Sequence, residues 1–186
     1  MTTATASSRI PQVGADYAHF EDRETMSEIR YKPIGIIHSP FKEPHGTPIQ
    51  TASARDVEGA VDIFPEYVEG LKDIEGFSHI LLIYLFHLSK EWTLKVKPYM
   101  DNQLRGVFAT RAPARPNPIG ISIVRLVRVE GEKLYIRDVD MVDGTPLLDI
   151  KPYVPEFDVR KVDRTGWLTN EVHKLRETRD DGRFMS

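Results

Sequence analysis

Residues 121–141 read ISIVRLVRVEGEKLYIRDVDM. Two β-branched runs, 121–129 and 133–141, flank Glu130, Gly131 and Glu132. A three-residue connection containing glycine, set between two such runs, is a hairpin signal. The first firm element is therefore an antiparallel pair, and the same texture recurs on either side of it. YKPIGIIHS (31–39) is rich in isoleucine and ends at Pro40. GAVDIFP (59–65) alternates and stops at a proline. HILLIYLFH (79–87) is a short apolar run of strand rather than helix length, and RGVFAT (105–110) completes six strand-like stretches. Short connections and the lack of a regular βαβ alternation argue for a mainly antiparallel sheet or barrel over a doubly wound fold.

Helical signals are fewer. PEYVEGLKDI (65–74) opens on a proline, suited to a first helical position, with Tyr67, Val68, Leu71 and Ile74 as its apolar face. WLTNEVHKLRE (167–177) places Leu168, Val172 and Leu175 at helical spacing. The last residues, RDDGRFMS, read as a frayed tail. Residues 1–27 are polar and without period, and read as a flexible extension in which Tyr17 and Phe20 are candidates to pack on a neighbour. The expected organisation is an extension over 1–27, one domain over 28–163, and a C-terminal helix and tail over 164–186.

The chain has 186 residues, enough for one domain with a real core, and 40% apolar and 28% charged residues, an ordinary globular balance. Its formal charge of −3 argues against wholesale nucleic-acid binding while leaving room for a local basic patch. There is no cysteine, which removes disulfides, thiolate catalysis and cysteine-ligated metals. The longest apolar run, Ile80 to Phe86, is far short of the ~20 residues that span a bilayer. With no basic-then-apolar leader pattern, a cytoplasmic protein is the expectation. His79 and His87 share strand parity but lie eight residues, about 26 Å, apart, so they do not share a metal, and no metal is expected.

The chemically sharpest stretch is GVFATRAPARPNPIGIS (106–122). Between Asn102 and Val129 there are five arginines (105, 111, 115, 125 and 128) and no acid. Pro113, Pro116 and Pro118 fix their own φ and push Ala112, Arg115 and Asn117 out of the helical region. Arginines held this way suit a carboxylate or a phosphate; a rigid surface turn with solvated arginines is the plainer alternative. In MVDGTPLLDIKPY (141–153), Asp143-Gly144-Thr145-Pro146 is turn chemistry. Asp149, Lys151 and Tyr153 then alternate onto one face, and Asp149 wants a partner that the arginine loop is able to supply, either in a functional role or as a structural ion pair. FKEPHGTPIQTASAR (41–55) is long for a simple connection, and loops of that length are often functional. Signatures of dinucleotide, nucleoside-triphosphate and zinc-protease sites are absent.

Taken together, IGIIHSPFKEP (34–44), IEGFSHILLIYLFH (74–87), GVFATRAPARPNPIGIS and DGTPLLDIKPYVP (143–155) resemble the TrmO/YaeB (TsaA-like) family of tRNA methyltransferases, in the same order and over about residues 31–160. The resemblance implies a single-sheet antiparallel β-barrel with short peripheral helices, S-adenosylmethionine as cofactor, and a homodimer with the cofactor near the interface. It also implies N6-methylation of a threonylcarbamoylated adenosine beside the anticodon of tRNA. It maps the cofactor pocket onto Ile49, Gln50 and Thr51; His87 and Leu88; Arg111 and Arg115; and Asp143, Gly144, Thr145 and Pro146. Ala112 stands where the commoner family form has serine. Residues 161–186 follow the matched stretch where the characterised bacterial enzyme carries a further domain. An exocyclic adenine amine needs hydrogen-bond acceptors as it loses planarity. Asp149 and Asn117 are the catalytic candidates for that task, with Tyr153 stacking on the base. One arginine would hold the cofactor carboxylate, the other a tRNA phosphate or Asp149. Two alternatives stand beside this: a non-catalytic S-adenosylmethionine or nucleotide sensor, and a hydrolase using Asp149 and His87.

Overall fold

The hairpin at Gly131 is the seam on which the sheet closes. In the computed structural model, which describes residues 29–185, strand β6 (Ile119–Glu130) turns through Gly131, at φ +60°, into β7 (Lys133–Arg137). The expected roles for Tyr17, Phe20 and the rest of the extension lie outside the described residues. Residues 32–185 form one unit. In it β1 (Gly35–His38), β2 (Glu58–Ile63), β3 (His79–Leu85) and β8 (Thr145–Pro152) join the hairpin in a closed barrel of order β1-β2-β7-β6-β3-β8. Every pairing is antiparallel. Closure leaves the barrel strands no free edge.

Alternation fills the barrel. Ile80, Leu82 and Tyr84 of β3 and Ser122 and Val124 of β6 point inward, meeting Ile37, Val61, Leu134, Ile136 and Leu147. Each fully enclosed aliphatic side chain contributes roughly 1.5–3 kcal/mol. Gly120 is required here, because a Cβ at that position would stand 2.2 Å from the Tyr84 ring.

Two sequence expectations change. Residues 105–110 do not form a barrel strand. Only Arg105–Gly106 (β5) is extended, pairing with Lys95–Val96 (β4) in a small separate ribbon, and Val107–Ala109 make a 3₁₀ turn. The sixth barrel strand is β8, read from sequence as a turn and an extended segment. The helices are also shorter than the periodicity implies. Pro65–Leu71 is 3₁₀, with proline at its start and Leu71 buried. The 167–177 stretch is two 3₁₀ turns, Gly166–Asn170 and Val172–Arg176, with Val172 exposed. Among the described residues the one α-helical turn, α1, is Pro155–Asp158. No helix among the described residues is long and apolar enough to cross a membrane.

Candidate active site

At one end of β3 and β6 the barrel wall opens into a cavity with about 980 Å³ of space between its lining side chains, part of it open to solvent. Tyr84, Phe86 and Gly120 come from the two strands, Ile49 and Gln50 from the long 41–55 loop, and Arg111 and Arg115 from the proline loop. The size suits a small-molecule cofactor.

The proline loop is held from within. Arg115 donates to the carbonyls of Val107 (3.1 Å) and Thr110 (2.9 Å), so its guanidinium ties the loop's two ends, while its Nε is buried with no partner. Arg111 is exposed and donates to Gln50 Oε1 at 2.6 Å, joining the two loops across the cavity mouth. The other three arginines of the basic run are neutralised. Arg105 pairs with Asp101 (2.7 Å), Arg125 with Asp138 (2.7 Å) and Asp56, and Arg128 with Glu130 (2.7 Å). Among the described residues, Arg111 and Arg115 make no carboxylate pair. The +5 of the sequence is thus an available charge of two, and both lie at the cavity.

Opposite them stands Asp140, a residue that the sequence reading passed over. Ser122 Oγ donates to it at 2.7 Å, and the Tyr84 hydroxyl lies 3.1 Å from the same Ser122 oxygen. Burial pushes the Asp140 carboxyl up to about 6, opposed by its bonds from Ser122 and from the backbone at Thr51 and by the Arg111 charge. Burial, with the Asp140 charge behind it, likewise raises the Tyr84 phenol and keeps it protonated. A carboxylate ionised at neutral pH, yet able to take a proton just below it, is poised for acid–base work. Its position follows from a backbone kink. Strand β7 ends at Arg137, and Asp138 adopts φ +71°. Val139 and Met141 then enter the core and Asp140 reaches Ser122.

Ile49, Gln50, His87, Leu88, Arg111, Arg115 and Thr145 line the cavity. His87 is exposed at the mouth, and partial desolvation lowers its pKa from the ordinary value against its bond to the Leu85 backbone. Thr51 reaches the site through its backbone bond to Asp140. The rest of the DGTP turn serves the scaffold. Asp143 accepts from Lys42 (2.7 Å), His38 (3.2 Å) and the Ser39 amide (3.1 Å), and those contacts, Lys42 foremost, hold it below the usual carboxylate range. Gly144, at φ +78°, donates to the Ile37 carbonyl, and Pro146 pairs with Ile36 in the sheet.

The structure does not bring the three catalytic candidates to the cavity. The β3–β8 register slips at Ile83/Tyr84, so Leu147 is buried and Asp149 faces outward, paired with Lys151 at 2.8 Å and with no arginine. Tyr153 packs edge-on to His79 at the other end of β3, about 20 Å away by strand rise. Asn117 is exposed on the proline loop.

A cationic mouth, an apolar slot and a half-buried carboxylate on the rim of a closed barrel define the site. The model of the tRNA-methyltransferase O N-terminal domain matches residues 36–159. The chain belongs to this TrmO family. A probable S-adenosyl-L-methionine-binding protein of Pyrococcus abyssi is 68% identical over 158 residues, covering 85% of this chain and 86% of that one. The tRNA (adenine(37)-N6)-methyltransferase of Escherichia coli is 39% identical over 140 residues, covering 70% of this chain and 60% of that enzyme. The crystal structure of TrmO from Pseudomonas aeruginosa superposes with a TM-score of 0.63 at 39% identity, over 75% of this chain and 62% of the other. The TrmO members thus confirm the mainly β barrel expected from the sequence and exclude a Rossmann domain.

Proposed function

We propose that this protein is an S-adenosylmethionine-dependent tRNA methyltransferase whose acceptor is the N6 of a threonylcarbamoylated adenosine next to the anticodon. The observation that carries the reading is the opposition of Arg111 and Arg115 to Asp140 across one cavity in a TrmO barrel. The residues fit the cofactor. The Arg115 Nε, buried and unpartnered, and the Arg111 fork are donors for a carboxylate. Phe86, Leu88 and Ile49 offer an apolar slot for an adenine. Bound S-adenosylmethionine supplies an electrophilic methyl on a sulfonium.

The chain's own groups do the rest. The proline loop orients the cofactor by its carboxylate end. The apolar slot excludes water. Asp140 accepts a hydrogen bond from the acceptor N–H and holds the proton that leaves it, at an oxygen already aligned by Ser122. Holding the amine in near-attack geometry is the larger share of the acceleration. Beside the cavity, and sharing Phe184 with it, a groove lined by Trp92, Lys95 and Lys97, with Glu91 and the Arg183–Asp181 ion pair in the same wall, suits the flanking nucleotides, which would stack on the exposed indole and set phosphates against the two lysines. The target adenosine lies in a loop and can be splayed out without opening a helix.

A homodimer is supported by a ladder on the outer wall. Leu81–Ile123, Ile83–Ile121 and Leu85–Ile119 are cross-strand pairs between β3 and β6, and all three isoleucines of β6 are exposed. Ile119 and Ile121 also line the cavity, so a second copy seated on the ladder would cover its open side. A sensor without turnover is the second reading, favoured by relatives named only as binding proteins. The hydrolase reading loses its pair, since Asp149 is not at the cavity that His87 lines.

The deciding experiment incubates the protein with methyl-labelled S-adenosylmethionine and total tRNA from wild-type cells and from cells lacking threonylcarbamoylation. Label confined to the first tRNA is expected. Label on both changes the acceptor. Label on neither, with cofactor bound, selects the sensor.

A further inference from the structure

The tail read as frayed is instead a strap. Residues 164–185 lie outside the stretch matched by the family domain, yet they are stitched to it along their length. Trp167 Nε1 donates to the Ala109 carbonyl (2.8 Å) and Lys174 Nζ to the Met100 carbonyl (3.4 Å). Gly46 donates to the Asp180 carbonyl (2.7 Å), Asp180 donates back to Thr47 (2.9 Å), and Pro48 bridges to Arg179. Arg183 donates to the carbonyls of Lys97 (3.3 Å) and Pro98 (3.0 Å). Phe184 packs on Val96, Val107 and Ala112 and meets the Tyr99 ring edge-on at 5.1 Å. These contacts deliver Asp180, Phe184 and Met185 to the cavity wall.

Two polar side chains belong to that wall. Asp180 Oδ1 accepts from the Gly182 amide at 2.7 Å, which fixes the carboxylate and leaves its other oxygen for a donor. The Tyr99 hydroxyl beside it is buried and is directed at the Asp180 carboxylate. Burial first, then that contact with Asp180 and the Asp180 charge, keeps the phenol protonated. A carboxylate with lone pairs to spare, next to aromatic rings, matches a group that offers donors beside a flat ring. The ribose diol and the amino edge of adenine both do. The α-amino group of the cofactor, with no ring beside it, does not.

We propose that the strap completes the cofactor site in cis, with Asp180 and Tyr99 binding the adenosine half of S-adenosylmethionine and Phe184 walling it. The proposal rests on the cofactor reading above and adds to it a recognition element from outside the shared domain. Asp180→Asn preserves the Oδ1 that accepts from Gly182 and removes the charge; Tyr99→Phe preserves the ring and removes the hydroxyl.

The test is calorimetric titration of both variants and of the unaltered protein with S-adenosylhomocysteine and with 5′-methylthioadenosine, which keeps the adenosine half and lacks the amino acid. Thermal melts serve as the check on folding. Asp180→Asn is expected to weaken both ligands by about tenfold or more, and Tyr99→Phe both by about three- to tenfold, as for hydrogen bonds with and without a charged partner. Unchanged affinities with intact melts overturn the proposal. A loss confined to S-adenosylhomocysteine also overturns it, by moving Asp180 to the amino-acid half. If the unaltered protein binds neither ligand, the cofactor reading itself fails, a result distinct from the others.

Discussion

Ser122 and Asp140, far apart on either side of the β6–β7 hairpin, meet at 2.7 Å in the cavity wall, hydroxyl to carboxylate. The contact makes Asp140 an aligned acceptor, and burial lifts its pKa to about 6. Asp140→Asn keeps the size and an acceptor oxygen but cannot take a proton. Methyl transfer is expected to fall by about 10²–10⁴-fold, the range for losing general acid–base assistance, while S-adenosylhomocysteine affinity stays within about threefold. An equal fall in both would make Asp140 a cofactor ligand.

The same group sets a pH dependence with opposite signs in rate and stability. The ionised form is the working acceptor, so turnover should rise through about pH 6 and plateau above pH 7. The folded pKa lies above the ordinary value of 3.8, so the native state binds this proton more tightly than the unfolded chain does. Through this group stability falls as pH rises from about 4 to 6, and the penalty is complete above that window. The asparagine variant should lose the inflection in rate and melt higher than the unaltered protein at pH 7.5. Paired pH–rate and melting profiles check both.

Arg111 and Arg115 should separate under alanine substitution. Arg111 is exposed and bonds one side chain, Gln50. Arg111→Ala should weaken S-adenosylhomocysteine about tenfold, with a melting shift within the ±0.5 kcal/mol usual at surfaces. Arg115 spans two carbonyls of its own loop. Its loss strands the Thr110 carbonyl, at roughly 1–3 kcal/mol for an unsatisfied group, while Val107 keeps the Thr110 amide and hydroxyl, so Arg115→Ala should lower both the melting temperature and the affinity. Arg115→Lys should recover neither in full, because lysine lacks the Nε–H and the rigid planar fork that fixes the donors.

Gly120→Ala probes the packing behind the site. The added methyl would stand 2.2 to 2.9 Å from three atoms of the Tyr84 ring, which must then move off Ser122. Overpacking of this kind costs about 1–3 kcal/mol, or a melting temperature lower by roughly 2–10 °C for a chain of this size. Turnover should fall further than stability alone explains, because Ser122 loses a partner and Asp140 its alignment. A variant that melts and turns over like the unaltered protein would show that Tyr84 relaxes without cost.

Sequence periodicity carried the barrel because each strand buries alternate residues, and the hairpin at Gly131 could be read from three residues. What it missed were departures from period. The register slip opposite Ile83/Tyr84 separates inward Leu147 from Asp149, so the partner expected from the arginine loop is replaced by Lys151 on the same strand. The positive φ at Asp138 ends β7 early and brings Asp140 to the cavity. The clue was RDVDM itself, with Val139 and Met141 flanking the acid. The strap was illegible for another reason. Backbone bonds from Asp180 to Gly46 and Thr47 anchor it, and these leave no side-chain pattern.

The outer ladder gives the last prediction. Leu81–Ile123, Ile83–Ile121 and Leu85–Ile119 stand in register on a wall where solvated strands carry polar residues. Ile121 is central and 50% exposed. Lysine there points away from the core, so the fold should survive with a melting temperature near that of the unaltered monomer. In a self-complementary two-fold interface the substitution enters twice and sets two like charges in an apolar contact. Sedimentation equilibrium should show a dimer for the unaltered protein and a monomer for Ile121→Lys at the same concentration. Because Ile121 also lines the cavity, cofactor affinity should fall with the loss of the dimer. A monomeric unaltered protein, or a lysine variant that stays dimeric, would remove the ladder as the interface.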